Sequence, residues 1–433
     1  MKLLIRGATL VTVNARDEVL PQADLAIADG AIVGVGAAPA GFTPDRVLEG
    51  HERVVLPGLI NTHTHLSMTL MRNYADDLAF WPWLIERIKP LEDHLKPEDV
   101  RVGARLGLAE LIRGGTTCFH DMYFHLDEVA DEVASAGFRA RLCGALFDNS
   151  GQGEQLLRAA VGLHERWHGK AEGRVTVGLA PHSAYLCSPG YLKEIIGEAE
   201  RLKCGLHIHV AETEREVNDS RERHGVTPVQ QLADLGCFRV PTVAAHGIYV
   251  DAADRRTLRE GGVSVAHNPG SNLKLANGIA PVQALLDDGV NVSLGTDGAA
   301  SNNNLNLFEE MHLAALLQKW LRRDAEALPA REVLRMATIR GARALGLEAE
   351  IGSLEVGKRA DVVMIDAAQP HLAPRHDLIA LLVYSAQAAD VVTVLVDGRI
   401  LMEDRVLLTL DEESLLEQAT EQTRRLLQRS TGG

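Results

Sequence analysis

From about Val54 onward, short apolar runs alternate with stretches of helical periodicity. The runs are VVLPGLINTHTH, TTCFHDM (116–122), RARLCGALFD (139–148), VTVGLAPHS (175–183), GLHIHVAE (205–212), TVAAHGI (242–248), VSVAHNP (263–269) and VSLGTDG (292–298). Between them lie amphipathic stretches such as PEDVRVGARLGLAELIRGG, SPGYLKEIIGEAERLK, TPVQQLADLG and PVQALLDDG. Strands alternating with helices imply parallel pairing, and eight such units imply a (β/α)8 barrel of the TIM type. Every run ends in a polar residue: His65, Asp121, Asp148, His182, His209, His246, Asn268 and Asp297. Active sites of such barrels lie at the C-terminal rim of the strands, so these ends are where chemistry is expected.

The flanks follow another rhythm. LLIRGATLVTV, ADLAIADGAIVGVG and RVLEGHERVVL read as short strands separated by Gly, Asp and Pro turn signals. After the eighth run and its helices, GSLEVGKRADVVMIDAA (352–368) and DVVTVLVDGRILMEDRVL (390–407) again read as strands. Pairing of the two ends gives a small β-sandwich over residues 1–57 and 355–433, with the catalytic barrel, distorted from the ideal, over 58–354. The stretch DEESLLEQATEQTRRLLQR reads as an amphipathic helix with a solvated charged face. GVGAAPAG (34–41) approaches a dinucleotide glycine loop, but Pro39 stands at the third glycine position and no helical pattern follows.

Totals narrow the partners. The 433 residues carry a net charge of −15, which argues against nucleic acid or an anionic membrane as partner. Hydrophobic residues at 46% and charged residues at 24% describe a globular soluble chain, and no run reaches the ~18–20 apolar residues of a membrane span. MKLLIRGATLVTV reads as a strand, not a signal peptide. Five scattered cysteines, Cys118, Cys143, Cys187, Cys204 and Cys237, form no CxxC pair and fit a reducing cytoplasm.

Residues i and i+2 of a strand face one side, so His63 and His65 point together into the barrel. Two imidazoles so placed can share one ion, although an isolated HxH is as readily two core histidines. The ends of the fifth and eighth runs add His209 and Asp297. A hydrolytic metal takes three or four N/O ligands and keeps one position for water; His63, His65, His209 and Asp297 supply that set. His207 lies one layer deeper on the same face as His209, where packing is the expected role. Glu212, three residues past His209, has the wrong parity for the strand and is expected on a loop over the rim. There it can shuttle protons, or be a solvated loop carboxylate like its neighbours Glu214 and Glu216. Asp297 can also take a proton from the nucleophile, and His246 can orient the water.

These residues sit in stretches that resemble the amidohydrolase superfamily, over roughly residues 1 to 410. The carrying segments are PGLINTHTHLSMTLMRNYADDLAFWPWL, LAPHSAYLCS, HIHVAETEREV, AHNPGSNLKLANGIAPV, LGTDGAASNNNLNLFEEM and YSAQAADVVTVLVDGRIL. Within it, the chain is most similar to the 5-methylthioadenosine/S-adenosylhomocysteine deaminases. The resemblance implies one divalent ion on His63, His65, His209 and Asp297, zinc foremost, with Fe2+ or Mn2+ as alternatives. It implies Glu212, His246 and Asp297 as catalytic residues, with Glu212 delivering protons to a ring nitrogen and the leaving amine. It implies His182 against the heterocycle, Glu92 of KPLEDHL on the ribose hydroxyls, and Trp83 beside the base or sulfur.

The implied reaction is hydrolytic removal of the 6-amino group of an adenine nucleoside. Gly144 stands where relatives accepting S-adenosylhomocysteine place an arginine, which puts methylthioadenosine and adenosine ahead. The fourth run has no lysine to bridge two metals, which favours a single ion. The alternatives are an aminohydrolase for guanine, another purine, a pyrimidine or an s-triazine, and a barrel that binds without turnover. The resemblance also suggests a homo-oligomer.

Overall fold

The computed structural model describes residues 1–431. Five strands precede the barrel: β1 (Lys2–Val11), β2 (Val19–Ala28), β3 (Ala31–Gly36), β4 (Arg46–Glu49) and β5 (Arg53–Pro57). The expected run ADLAIADGAIVGVG is a hairpin of β2 and β3. It breaks at Asp29-Gly30, both at positive φ (50° and 81°), as a two-residue hairpin turn requires. RVLEGHERVVL likewise breaks into β4 and β5 around the turn at Gly50.

The eight apolar runs form β6 (Leu59–Thr64), β7 (Thr116–Tyr123), β8 (Arg139–Leu146), β9 (Val175–Pro181), β10 (Leu206–Val210), β11 (Thr242–His246), β12 (Ser264–His267) and β13 (Asn291–Leu294). All neighbouring pairs are parallel and in sequence order. The fold is the α/β barrel expected. Its seam between β6 and β13 is irregular: the amides of Thr296 and Asp297 both donate to His63 O, at 3.2 and 3.0 Å. The run VVLPGLINTHTH is divided at Gly58, with β5 in the terminal sheet and β6 in the barrel.

The C-terminal strands are β14 (Val362–Asp366), β15 (Val391–Val396), β16 (Arg399–Glu403) and β17 (Val406–Leu407). Of the stretch 352–368, only Val362–Asp366 is a strand; Val356-Gly357 form a turn. Both chain ends join in one nine-stranded mixed sheet, ordered β17-β16-β15-β14-β5-β1-β2-β3 with β4 on β1. This sheet has its own core, including Leu3, Ile5, Leu25, Ile27, Val362 and Leu395. Arg139, at the N-terminal end of β8, ties the two sheets. Its guanidinium donates to Asp361 at 2.8 and 3.1 Å and to Asp397 at 2.7 Å.

Helix Pro97–Arg113 shows how the rim is fixed. Pro97 fills its first position, and Asp99 accepts from the Lys96 amide at 2.7 Å. Its buried face repeats at Val100, Ala104, Leu108, Leu111 and Ile112. A Cβ on Gly103 would meet Ser67 O at 2.4 Å, so glycine lets this helix press on the turn Leu66–Met71 that follows His65. The last helix, Glu412–Thr431, docks on the same helix. Its polar face is not wholly solvated, because Gln422 donates to buried Asp99 at 2.6 Å and Arg429 pairs with the same carboxylate. Among the described residues no helix is long and apolar enough to cross a membrane.

Candidate active site

At the C-terminal rim, β6 ends with His63 buried and His65 slightly exposed, one residue apart on one face. The ring centroids of His63 lie 4.9 Å from those of both His65 and His209, and 5.3 Å from His246. Asp297 follows β13 with φ at 60°, which turns its carboxylate inward. Its Oδ1 lies 3.3 Å from His63 Nε2 and 3.1 Å from His65 Nε2. The close pass of the eighth strand needs Gly295, whose Cβ would sit 2.8 Å from His63 O. Ligating atoms of His63, His65 and His209 fall within 4.8 Å of one another, as do those of His63, His246 and Asp297.

The electrostatics suit a cation. Burial lowers the His63 imidazole to about 4 and drives His209 well below the ordinary value. Both rings are therefore neutral near pH 7, as metal ligation requires. Burial alone would raise the Asp297 carboxyl, but His63 and His65 outweigh it and hold it well below the ordinary range. His65 rises to about 9, because Asp297 and the Met122 carbonyl overcome burial. His63 Nε2 is buried and makes no hydrogen bond. Three imidazoles and an ionised carboxylate, with a bare nitrogen among them, fit a divalent ion.

Glu212 lies beyond β10. Ala211 adopts φ 51°, which breaks the strand's alternation and turns Glu212 into the cavity. Only 4% of Glu212 is exposed, and burial raises its carboxyl well above the ordinary value. Asn277 donates to its Oε1 at 3.0 Å, and His246 Nε2 lies 3.8 Å from the same oxygen. Glu216, which spacing placed with the solvated carboxylates, is buried in helix Glu214–His224. It accepts from the amides of Ala211 and Glu212 at 3.0 and 2.8 Å and so fixes their turn. Glu214 is the exposed one.

The cavity encloses about 230 Å³ and is lined by His65, Trp83, Glu92, His182, His209, Glu212, His246 and Asp297, among others. All eight stand among the sequence-derived candidates, and the ninth, His63, packs against His65 and His209. Glu92 is carried by the helical segment after β6, and burial pushes its carboxyl up to about 7. The Trp83 indole nitrogen and the Tyr123 and Tyr185 hydroxyls are buried at this cavity without hydrogen-bond partners. Three strand ends fall outside the lining: Asp148 accepts at 2.8 Å from the amide of Ser188, the N-cap of helix Pro189–Leu202, Asp121 accepts from the Leu66 amide at 2.8 Å, and Asn268 lies beside His246 Nδ1 at 3.4 Å.

Spacing did not single out Ser271 or Asn272. Ser271 donates to Asp297 Oδ2 at 2.6 Å, and Asn272 Oδ1 lies 2.8 Å from His246 Nδ1. The signal available was the cluster of small polar residues, Asn268, Ser271, Asn272 and Asn277, just past the seventh run.

A model of the amidohydrolase family matches residues 54–401. The chain belongs to the amidohydrolase family. This amidohydrolase is 46% identical to a 5-methylthioadenosine/S-adenosylhomocysteine deaminase of Thermoanaerobacter pseudethanolicus, over 99% of this chain and 100% of the relative. It is 47% identical to a protein of the same name from Caldanaerobacter subterraneus subsp. tengcongensis, with 99% of each chain covered. Among solved structures it resembles a zinc-bound adenosine deaminase from Xanthomonas campestris, with TM-score 0.94, 36% identity and 98% of both chains covered. It also resembles a zinc-complexed atrazine chlorohydrolase from Arthrobacter aurescens, with TM-score 0.91, 26% identity, and 97% and 100% covered. The family and its zinc-bound neighbours support a divalent metal in this amidohydrolase.

Proposed function

We propose that this amidohydrolase hydrolytically deaminates the 6-amino group of an adenine nucleoside, with methylthioadenosine and adenosine as its preferred substrates. The observation that carries the reading is the convergence of two HxH imidazoles, His209, Asp297, Glu212 and His246 on one cavity. Full-length relatives with the deaminase name support it.

His63, His65 and His209 would hold the divalent ion through ring nitrogens and Asp297 through Oδ1; zinc is the ion proposed. When bound, such an ion lowers the pKa of water and so supplies a nucleophile at neutral pH. The protein residues do the rest. His246, held by Asn272, orients the attacking water toward C6. Asp297, steadied by Ser271, accepts the proton that the nucleophile gives up. Glu212, with its raised affinity for protons, delivers one to N1 as the C6–O bond forms. Asp297 hands the proton it took to the emptied Glu212 carboxylate, which passes it to the departing nitrogen; the C6–N6 bond breaks, and ammonia leaves. Burial lowers His182 to about 3, so its ring is neutral and free to hydrogen-bond the heterocycle.

The cavity walls support the substrate preference. Phe80, Trp81, Trp83, Phe124 and Phe147 offer flat apolar surface for a base and an alkylthio group. Glu92 offers an acceptor for ribose hydroxyls. Among the described residues Lys89 is the one lysine or arginine lining the cavity, and Asp93 already pairs with it. A homocysteine carboxylate therefore lacks a free cation. The five cysteines are unpaired and buried, which supports a cytoplasmic enzyme, and relatedness favours a homo-oligomer.

The test is a panel of methylthioadenosine, adenosine, S-adenosylhomocysteine, guanine and an s-triazine on zinc-loaded protein, followed by absorbance and ammonia release. Methylthioadenosine and adenosine should turn over, S-adenosylhomocysteine should lag, chelation should abolish activity and zinc should restore it. Turnover of guanine or the triazine alone would move the assignment to a sister activity.

A further inference from the structure

Each imidazole that faces the ion position needs its other ring nitrogen held in one state. His65 Nδ1 lies 2.6 Å from Met122 O, and His209 Nδ1 lies 2.8 Å from His182 O. Peptide carbonyls can only accept, so in the neutral ring they place the hydrogen on Nδ1 and leave Nε2 as the nitrogen available to an ion. His63 is built differently. Its Nδ1 lies 2.8 Å from Nε2 of another imidazole, His207, which reaches up from one layer deeper in the barrel.

For His63 to present a bare Nε2, its Nδ1 must carry the hydrogen and donate it. His207 Nε2 must then be the acceptor, which leaves the His207 hydrogen on Nδ1. That atom is buried and has no partner. The ring is held instead by stacking: its centroid lies 3.8 Å from that of His120, with the planes 20° apart. His120 Nε2 in turn lies 3.3 Å from Cys143 Sγ. Both histidines are out of solvent, so water cannot take over the role of acceptor. A residue kept for packing alone would be apolar here; an imidazole with one bonded and one unbonded nitrogen is retained for the bond it makes.

Resting on the reading of His63 as a metal ligand, we propose that His207 is a positioning residue that fixes His63 in its Nε2-ligating tautomer and thereby sets how tightly the centre holds its ion. The experiment is competition for zinc between the full-length protein and a chromogenic chelator, for wild type, His207→Leu and His207→Gln. Leucine keeps the apolar volume and loses the acceptor; the glutamine amide oxygen restores an acceptor at similar reach. His207→Leu should weaken zinc binding by about 10–100-fold. His207→Gln should recover most of that loss. The visible spectrum of the cobalt(II)-substituted protein should change in the leucine variant and return in the glutamine variant.

Equal zinc affinity in folded His207→Leu and wild type would overturn the proposal, as would a glutamine variant no tighter than the leucine one. Failure of wild type to bind zinc is a separate result that removes the metal centre itself, and this inference with it. Should the leucine variant not fold, nitrogen-15 shifts of the zinc-loaded wild type decide. A His207 protonated on Nδ1 supports the assignment, and one protonated on Nε2 overturns it.

Discussion

The two ends of the barrel bury charge in opposite ways. At the N-terminal end, Arg139 is matched by Asp361 and Asp397, and none of the three leaves a buried polar atom without a partner. At the C-terminal rim, His63 Nε2, Asp121 Oδ2, Trp83 Nε1 and the hydroxyls of Tyr123 and Tyr185 are buried and unmatched. A buried polar atom without a partner costs about 1–3 kcal/mol, so a cluster of them persists only where something else is gained. Unmatched atoms such as Arg174 Nε and Thr116 Oγ1 occur at the N-terminal end too, but there they are scattered around a matched Arg139 network that joins the two sheets, whereas at the rim Trp83 and the two tyrosines gather on one cavity.

Substitutions at the two ends should therefore fail in different ways. Glu212→Gln should lower kcat by about 10²–10⁴-fold, because it removes the proton carrier while keeping the shape. Its thermal midpoint should not fall, since an amide replaces a carboxyl that burial already resists ionising. Steady-state kinetics beside a melting curve checks both halves; a large drop in stability with retained kcat would erase the contrast.

Asp361→Ala should do the reverse. Removing one partner of a buried pair leaves part of the Arg139 charge uncompensated and costs about 3–5 kcal/mol. Urea unfolding should shift by that amount, while turnover per folded molecule stays near wild type. Loss of turnover in the folded variant would show that the two ends are coupled.

The smallest expected effect is on a pH slope, at most about 1.4 kcal/mol per pH unit. Glu310 supports the rim by accepting from the Gly270 amide at 2.9 Å and from Asn302 at 2.7 Å. Burial pushes its carboxyl up to about 8, against an ordinary 4.5. Between those values the unfolded chain has released a proton that the folded chain keeps. Stability therefore falls as pH rises from about 4.5 to about 8, by an amount on the order of 5 kcal/mol at most. Glu310→Gln should flatten that part of the profile, read as denaturant midpoint against pH. An unchanged slope would assign the loss to other groups.

What could be read from the sequence follows from the reach of each rule. Period-2 alternation within a strand is local, so the shared face of His63 and His65 and the eight polar strand ends were visible. The break in that alternation at Ala211 also showed, as the wrong parity of Glu212. Which ends converge was harder. Asp121 and Asp148 occupy the same kind of position as His209, yet they bond the backbone of following segments. Roles set by partners far along the chain were hidden altogether. Glu216 looks like Glu214 in a string, but two residues along a helix turn one outward and one beneath the Glu212 loop. His207 looks like core packing until His63, 144 positions away, is placed above it. The sheet made from both termini was suggested by strand-like flanks, but its single continuous ladder depends on β5 meeting β14 across some 300 residues.

The seam of the barrel has a consequence for biosynthesis. The amides that fasten its last strand to its first belong to Thr296 and Asp297, and they grip the carbonyl of His63 itself. A nascent chain that has emerged only as far as the seventh strand owns three imidazoles, but neither the carboxylate nor the clasp. With the proposed ligand set, capture of an ion is tied to completion of the ring, and an unfinished polypeptide has no finished site with which to compete for the cell's metal.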